Sequence, residues 1–124
     1  MSARTIQHAL AAVFLVLGGW CLVWPASVID LAIRPEWRSD APIVLVLMSA
    51  FGAQAMIAGL FAATAIFTRR TFAVYGSALL PFFVFDYYFY AVEPMLTLIG
   101  LLDAVGNAAM LVLCWLGWKA APSR

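Results

Sequence analysis

The sequence predicts an all-α integral membrane protein, a single bundle of four transmembrane helices in up-down topology with both termini in the cytoplasm. Three observations carry that reading. Of the 124 residues, 66% are hydrophobic and 10% charged, against about 25% charged residues in soluble domains. So short a chain has too little polar surface to cover that apolar content in water, because small domains leave much of their surface exposed. The apolar residues gather into four runs, each near the ~20 residues that cross a bilayer, with Pro or charged residues between them. Finally, the basic residues fall mainly on one side of the layout those runs define.

The first span, 6–24, follows Arg4 and ends in Trp20, Trp24 and Pro25. A basic start before an apolar run also fits a signal peptide. This run is longer than the usual h-region, however, and it ends in tryptophans rather than a small-residue cleavage site. Trp at a span end is an interfacial anchor, so the segment reads as a retained helix. The loop 25–41 is the only long one. It mixes Asp30, Arg34, Glu36, Arg38 and Asp40 with Val28, Ile29, Leu31, Ile33 and Trp37, the pattern of a segment lying on a membrane surface.

The second span, 42–68, opens on Pro42, which suits a first helical turn, and closes at Arg69 and Arg70. The third, 71–92, carries Pro81 in mid-span, where a kink is expected, and stops at the Glu93-Pro94 turn. The fourth, 95–118, leads into a short tail from Lys119 to Arg124. No length remains for a separate soluble domain.

Four spans place Arg4, Arg69, Arg70, Lys119 and Arg124 on one side and Arg34 and Arg38 on the other, five against two. The positive-inside rule then puts the five in the cytoplasm and the loop 25–41 outside. Arg outnumbers Lys six to one, and Ala and Leu are abundant. That bias is common in GC-rich bacterial genomes and points to a bacterial inner membrane. The net charge of +1 argues neither for nor against a nucleic-acid or acidic partner, and no nucleic-acid partner is expected. Cys21 and Cys114 sit in apolar runs without metal-ligand or disulfide-framework spacing, and they read as small buried hydrophobes.

In the second span Ser49, Gly52, Ala55, Gly59 and Ala62 recur at helical spacing and share one face. Small residues let helix backbones approach closely in lipid, so this stripe predicts a tight helix contact. Gly-Ala-Gln-Ala-Met at 52–56 and Gly-Asn-Ala-Ala-Met at 106–110 form a faint repeat that pairs Gln54 roughly with Asn107. Coincidence between small-residue-rich stretches explains it equally well.

Asp86 and Asp103 are the informative positions. A carboxylate inside a span is expensive unless it faces protein or water, and it counts as a functional candidate by default. At ~1.5 Å per residue, Asp86 lies roughly 9 Å from the outer end of the third span and Asp103 roughly 12 Å into the fourth. Consecutive helices joined by a tight turn are antiparallel neighbours, so the two acids are expected at one level. Ser49 falls at a similar depth, with Gln54 and Asn107 forming a deeper polar layer. Asp103 and Asn107 share a helix face. Tyr90 stands one turn from Asp86, within reach to donate a hydrogen bond.

Two readings of this patch stand side by side. In one, Ser49, Gln54, Asp86, Tyr90, Asp103 and Asn107 line a ligand-binding pocket open to the outside, where a carboxylate takes a proton, a cation or a polar group. In the other they hydrogen-bond one another and hold the bundle together. The aromatic run Phe82-Phe83-Val84-Phe85-Asp86-Tyr87-Tyr88-Phe89-Tyr90 likewise fits an aromatic belt or a cage around the acid, the belt accounting for its tyrosines best.

His8 is the only histidine and lies at the cytoplasmic edge of the first span, across the membrane from both acids. No catalytic Ser-His-Asp set, metal pair or phosphate-binding motif follows, and neither a cofactor nor a metal is expected. Three functions remain: a small binding or transport protein for a small ligand or proton, a non-catalytic accessory or assembly subunit of a larger membrane complex, and a membrane enzyme acting on a lipid or quinone with an Asp as general acid or base. Beyond the lipid bilayer, the expected partners are further copies of the chain or a larger membrane complex, since four short helices enclose little volume.

In length, four-helix layout and the pattern of a Leu-rich first span ending in Trp-Pro, followed by Phe51-Gly52-Ala53-Gln54 and Gly59-Leu60, the chain resembles the DoxX-like small bacterial membrane proteins. The resemblance covers most of the chain in outline. It implies a four-helix membrane fold, and it carries no catalytic residue over to a position here.

Overall fold

The computed structural model describes residues 1–122. Arg124, counted above among the inner basic residues, lies outside them. The described residues are all-helical apart from one isolated bridge between Ile33 and Leu96. Five α-helices follow one another: α1 (Ala3–Val23), α2 (Pro25–Ala32), α3 (Pro42–Thr64), α4 (Arg69–Tyr87) and α5 (Leu102–Ala120). A 3-10 turn, Pro35–Trp37, precedes α3, and a π-helical turn, Tyr88–Val92, extends α4. Three of these helices are long and apolar enough to cross a membrane: α1, α3, and α4 with its π-turn.

Local chemistry sets the boundaries. Ser2 caps α1 by accepting a hydrogen bond from Thr5 N. Proline opens α2 and α3, at the position where a missing N–H costs nothing. Thr68 and Thr71 form a reciprocal capping box that starts α4, two residues before the expected start. α3 ends at Thr64 rather than 68, because Ala65–Phe67 leave the helix to pack against α1. α4 runs through Pro81 without interruption.

The fourth expected span departs most from the sequence reading. Its helix starts at Leu102, not Met95. The segment Met95–Leu101 is instead drawn onto the outer loop. Arg34 N donates to Met95 O at 2.8 Å, Thr97 N to Ala32 O at 2.8 Å, and Arg34 Nε to Leu96 O at 2.8 Å. Gly100 is needed at this seam, since a Cβ there would sit 2.7 Å from Ala32 O. Together α2, the 3-10 turn and Met95–Leu101 form a layer over one end of the helices. Arg38 braces it by donating from Nε to Ile33 O at 2.9 Å.

α1 is central: α3 packs along it, α5 packs against it, and α4 packs on α5. The small-residue stripe of α3 faces α1, and the approach is closest where Gly18 meets Gly52. A Cβ on Gly52 would lie 2.4 Å from Leu22 N and 2.6 Å from Gly18 O. The best-packed region lies at the opposite end from the loop layer. There Ile6, Leu10, Ala62, Phe67, Phe72 and Met110 are buried together, with Phe67 edge-on to Phe72 at 5.2 Å. Outward-facing side chains such as Val16, Leu47, Phe61, Val74 and Val112 are apolar and exposed, a surface suited to lipid.

One polar core residue carried no signal in the sequence. Gln7 is 2% exposed. Its Nε2 donates to Ala62 O and Ala65 O, both at 2.6 Å, and its Oε1 accepts from Phe67 N at 3.3 Å. It thus satisfies the backbone where α3 ends and the chain turns towards α4. Its neighbour His8 is exposed. Replacing Gln7 with Leu should leave those backbone groups unpaired and cost about 1–3 kcal/mol. A thermal melt in mild detergent reads this, and an unchanged Tm would mean that the turn is held by other contacts.

Candidate functional site: a buried carboxyl cluster between α4 and α5

Asp86 occupies the last turn of α4 and points inwards. It is 2% exposed, whereas Phe85, Tyr87 and Tyr88 beside it are exposed. A helix turns by about 100° per residue, so a continuous aromatic run presents most of its rings outwards and one side chain in four to the core. Here that side chain is the acid. The exposed rings therefore turn outwards and do not enclose the acid, with Phe85 and Phe89 tilted against each other at 4.7 Å. Directly after Asp86 the helix widens into the π-turn Tyr88–Val92, a feature that recurs at functional sites.

Across from it, Asp103 lies in the first turn of α5 instead of eight residues into a helix, because α5 starts late. Asn107, one turn on and buried, donates from Nδ2 to Asp103 Oδ2 at 3.0 Å. Asp103 and Asn107 are the polar groups facing Asp86. Neither carboxyl oxygen of Asp86 has a hydrogen-bond partner within 3.5 Å among the described residues, although Asp103 and Asn107 lie close enough to interact with it.

The two acids differ in what the fold gives them. Asp103 has a structural account, since a carboxylate in the first turn of a helix is stabilised by the unpaired N–H groups and dipole there. Asp86 has none. A buried polar group without a partner costs free energy, and a buried charge costs more. Two carboxylates facing each other in a low dielectric do not both keep their charge. One proton or one small cation held between Asp86 and Asp103 removes both penalties.

Of the six predicted site residues, the fold brings together Asp86, Asp103 and Asn107. The other three make no hydrogen bond to this cluster among the described residues. Gln54 is exposed on α3, because the face two residues from Gly52 turns away from α1. Ser49 is half-buried on α3, the helix that packs on α1 and α2. Tyr90 lies in the π-turn, where the altered period swings it away from Asp86 and places it under the Arg34 guanidinium, 5.7 Å from ring centre. Among the described residues, no three His, Cys, Asp or Glu side chains gather as a metal ion would need. Compared with known proteins, the chain matches no family model, no curated relative and no solved structure.

Proposed function

We propose that this is a four-span inner-membrane protein, with both termini cytoplasmic, that binds and passes a proton or small cation at Asp86 and Asp103. The observation that carries the reading is the state of Asp86, a buried carboxyl with no hydrogen-bond partner facing a second carboxyl. A bundle built only for stability has no use for such a group, whereas a site that takes up and releases a cation needs it. In this reading α5 is the fourth span, and the layer of α2 and Met95–Leu101 is the outer cover through which the ion reaches the pair. In this reading the layout resembles that expected of the DoxX-like proteins.

The test is transport. In liposomes with a pH-sensitive dye inside, the wild-type protein should dissipate an imposed proton gradient, and Asp86→Asn should fail to. Equal flux from both proteins overturns the reading. For the topology, reporter fusions after Arg70 and at the C-terminus should read as cytoplasmic and one near Arg38 as external. An external C-terminus would remove either a span or the orientation.

One observation favours a second reading, that of an accessory subunit. The small-residue stripe is used up within the chain against α1, but Gln54 stands exposed amid the apolar outer face of α3. An amide in lipid gains from a partner on another helix. Co-purification with a larger complex, lost in Gln54→Leu, would support this reading over transport.

A further inference from the structure

The end of the bundle opposite the loop layer carries Arg4, Arg69, Arg70 and Lys119 and no acid. Every Asp and Glu of the chain lies in the loops at the other end, or on the ends of α4 and α5 next to them. On this acid-free end an apolar groove of about 480 Å³ opens between α4 and α5, lined by Ala73, Ser77, Leu80, Val112, Trp115 and Trp118 among others. Its mouth is built from cations laid on indoles. The Arg69 guanidinium lies 4.3 Å from the Trp118 ring centre and donates from Nε to Trp118 O at 3.0 Å. Lys119 Nζ lies 3.6 Å from the Trp115 ring centre.

From this juxtaposition we propose that the α4/α5 groove is a binding site for an anionic phospholipid, with one acyl chain in the groove and the phosphate held by Arg69, Arg70 and Lys119. The groove and the charge point to one molecule. Apolar walls that continue to a face suited to lipid fit a hydrocarbon chain. Indole rings at the mouth sit where headgroups begin, and a basic pocket between helices at that level selects an anionic headgroup. Arg69 and Lys119 are already ordered by their rings, so little of their side-chain freedom is lost when the phosphate arrives, and Arg70 shares a helix face with the groove residues Ala73 and Ser77. No Asp or Glu side chain lies at this end among the described residues.

The full-length protein in mild detergent tests the site. Titration with phosphatidylglycerol should raise Tm by several degrees, and phosphatidylcholine should do so only at markedly higher concentration, as ligand linkage requires. Each basic side chain contributes a factor of about five to binding at an anionic surface. Arg70→Gln with Lys119→Gln should therefore weaken the phosphatidylglycerol midpoint by more than tenfold while leaving phosphatidylcholine unchanged. Ser77→Phe fills the groove and should abolish the phosphatidylglycerol shift, and Ala73→Leu serves the same purpose if Ser77→Phe does not fold. Equal shifts from both lipids overturn the proposal. So does a phosphatidylglycerol shift retained in the groove-filling variants, which would mark loose attraction of anionic lipid to the basic end. A shift of the same size from glycerol phosphate alone would also overturn it, since the acyl chain would then add nothing.

Discussion

A single methyl group added at Gly52 should destabilise the protein more than the same change at Gly59 or Gly106. The reason lies in what each Cβ would meet. At Gly52 the nearest atoms are backbone, with Leu22 N at 2.4 Å, Gly18 O at 2.6 Å and Cys21 C at 2.8 Å. Backbone cannot step aside without moving α1 along its contact with α3. At Gly59 the nearest atoms are Leu15 Cδ2 and Cγ at 2.9 Å, the end of a side chain that can change rotamer. At Gly106 the nearest is Leu17 Cδ1 at 3.3 Å. Overpacking costs about 1–3 kcal/mol, and Gly52→Ala should lie at the upper end of that range, a fall in Tm on the order of 10 °C. Gly59→Ala should cost less, and Gly106→Ala should be close to neutral. Melting curves in one detergent rank the three. Equal Tm values for Gly52→Ala and Gly59→Ala would show that α1 and α3 do not meet at backbone distance.

The fold was largely legible because lipid-scale hydrophobic runs and proline and charge breaks act locally. They located α1, α3 and α4 to within a few residues, and the spacing of Ser49, Gly52, Ala55, Gly59 and Ala62 identified the face that α1 occupies. The start of α5 was not legible. Met95, Leu96, Leu98 and Ile99 are as apolar as a helix in lipid requires, and only the tertiary pairing of Arg34 and Thr97 with this stretch draws it out of the helix. The Asp86, Asp103 and Asn107 cluster was expected from a tight turn between two helices; residues 93–101 intervene instead, and it is the packing of α4 on α5 that brings the three together. Gln54 and Tyr90 were misplaced for two separate reasons. Depth alone does not say which way a side chain faces, and a π-turn shifts every residue beyond it off the 3.6-residue period. Gln7 gave no signal, because its partners are backbone groups about sixty residues away.

Removing the charge at Asp86 should make the protein more stable and inactive together. A buried carboxyl with no partner is a cost that the rest of the fold carries, about 1–3 kcal/mol for an unsatisfied polar group. Asp86→Asn keeps the shape and places an amide opposite the Asp103 carboxylate, where it can donate the hydrogen bond that Asp86 lacks. Asp86→Leu removes the polar atoms altogether. Both variants should therefore melt above the wild type, and neither should move protons in liposomes. That pairing of gained stability with lost activity is the signature of a group kept for function. Asp103→Asn is the control. It retains an acceptor for Asn107 but gives up a carboxylate in the first turn of α5, so it should melt slightly below the wild type, by about 0.3–1 kcal/mol. A structural role for Asp86 predicts the reverse order, with Asp86→Leu the least stable of the three. If Asp86→Asn and Asp86→Leu both lose stability, the carboxyl holds the bundle together and the ion-binding site does not exist.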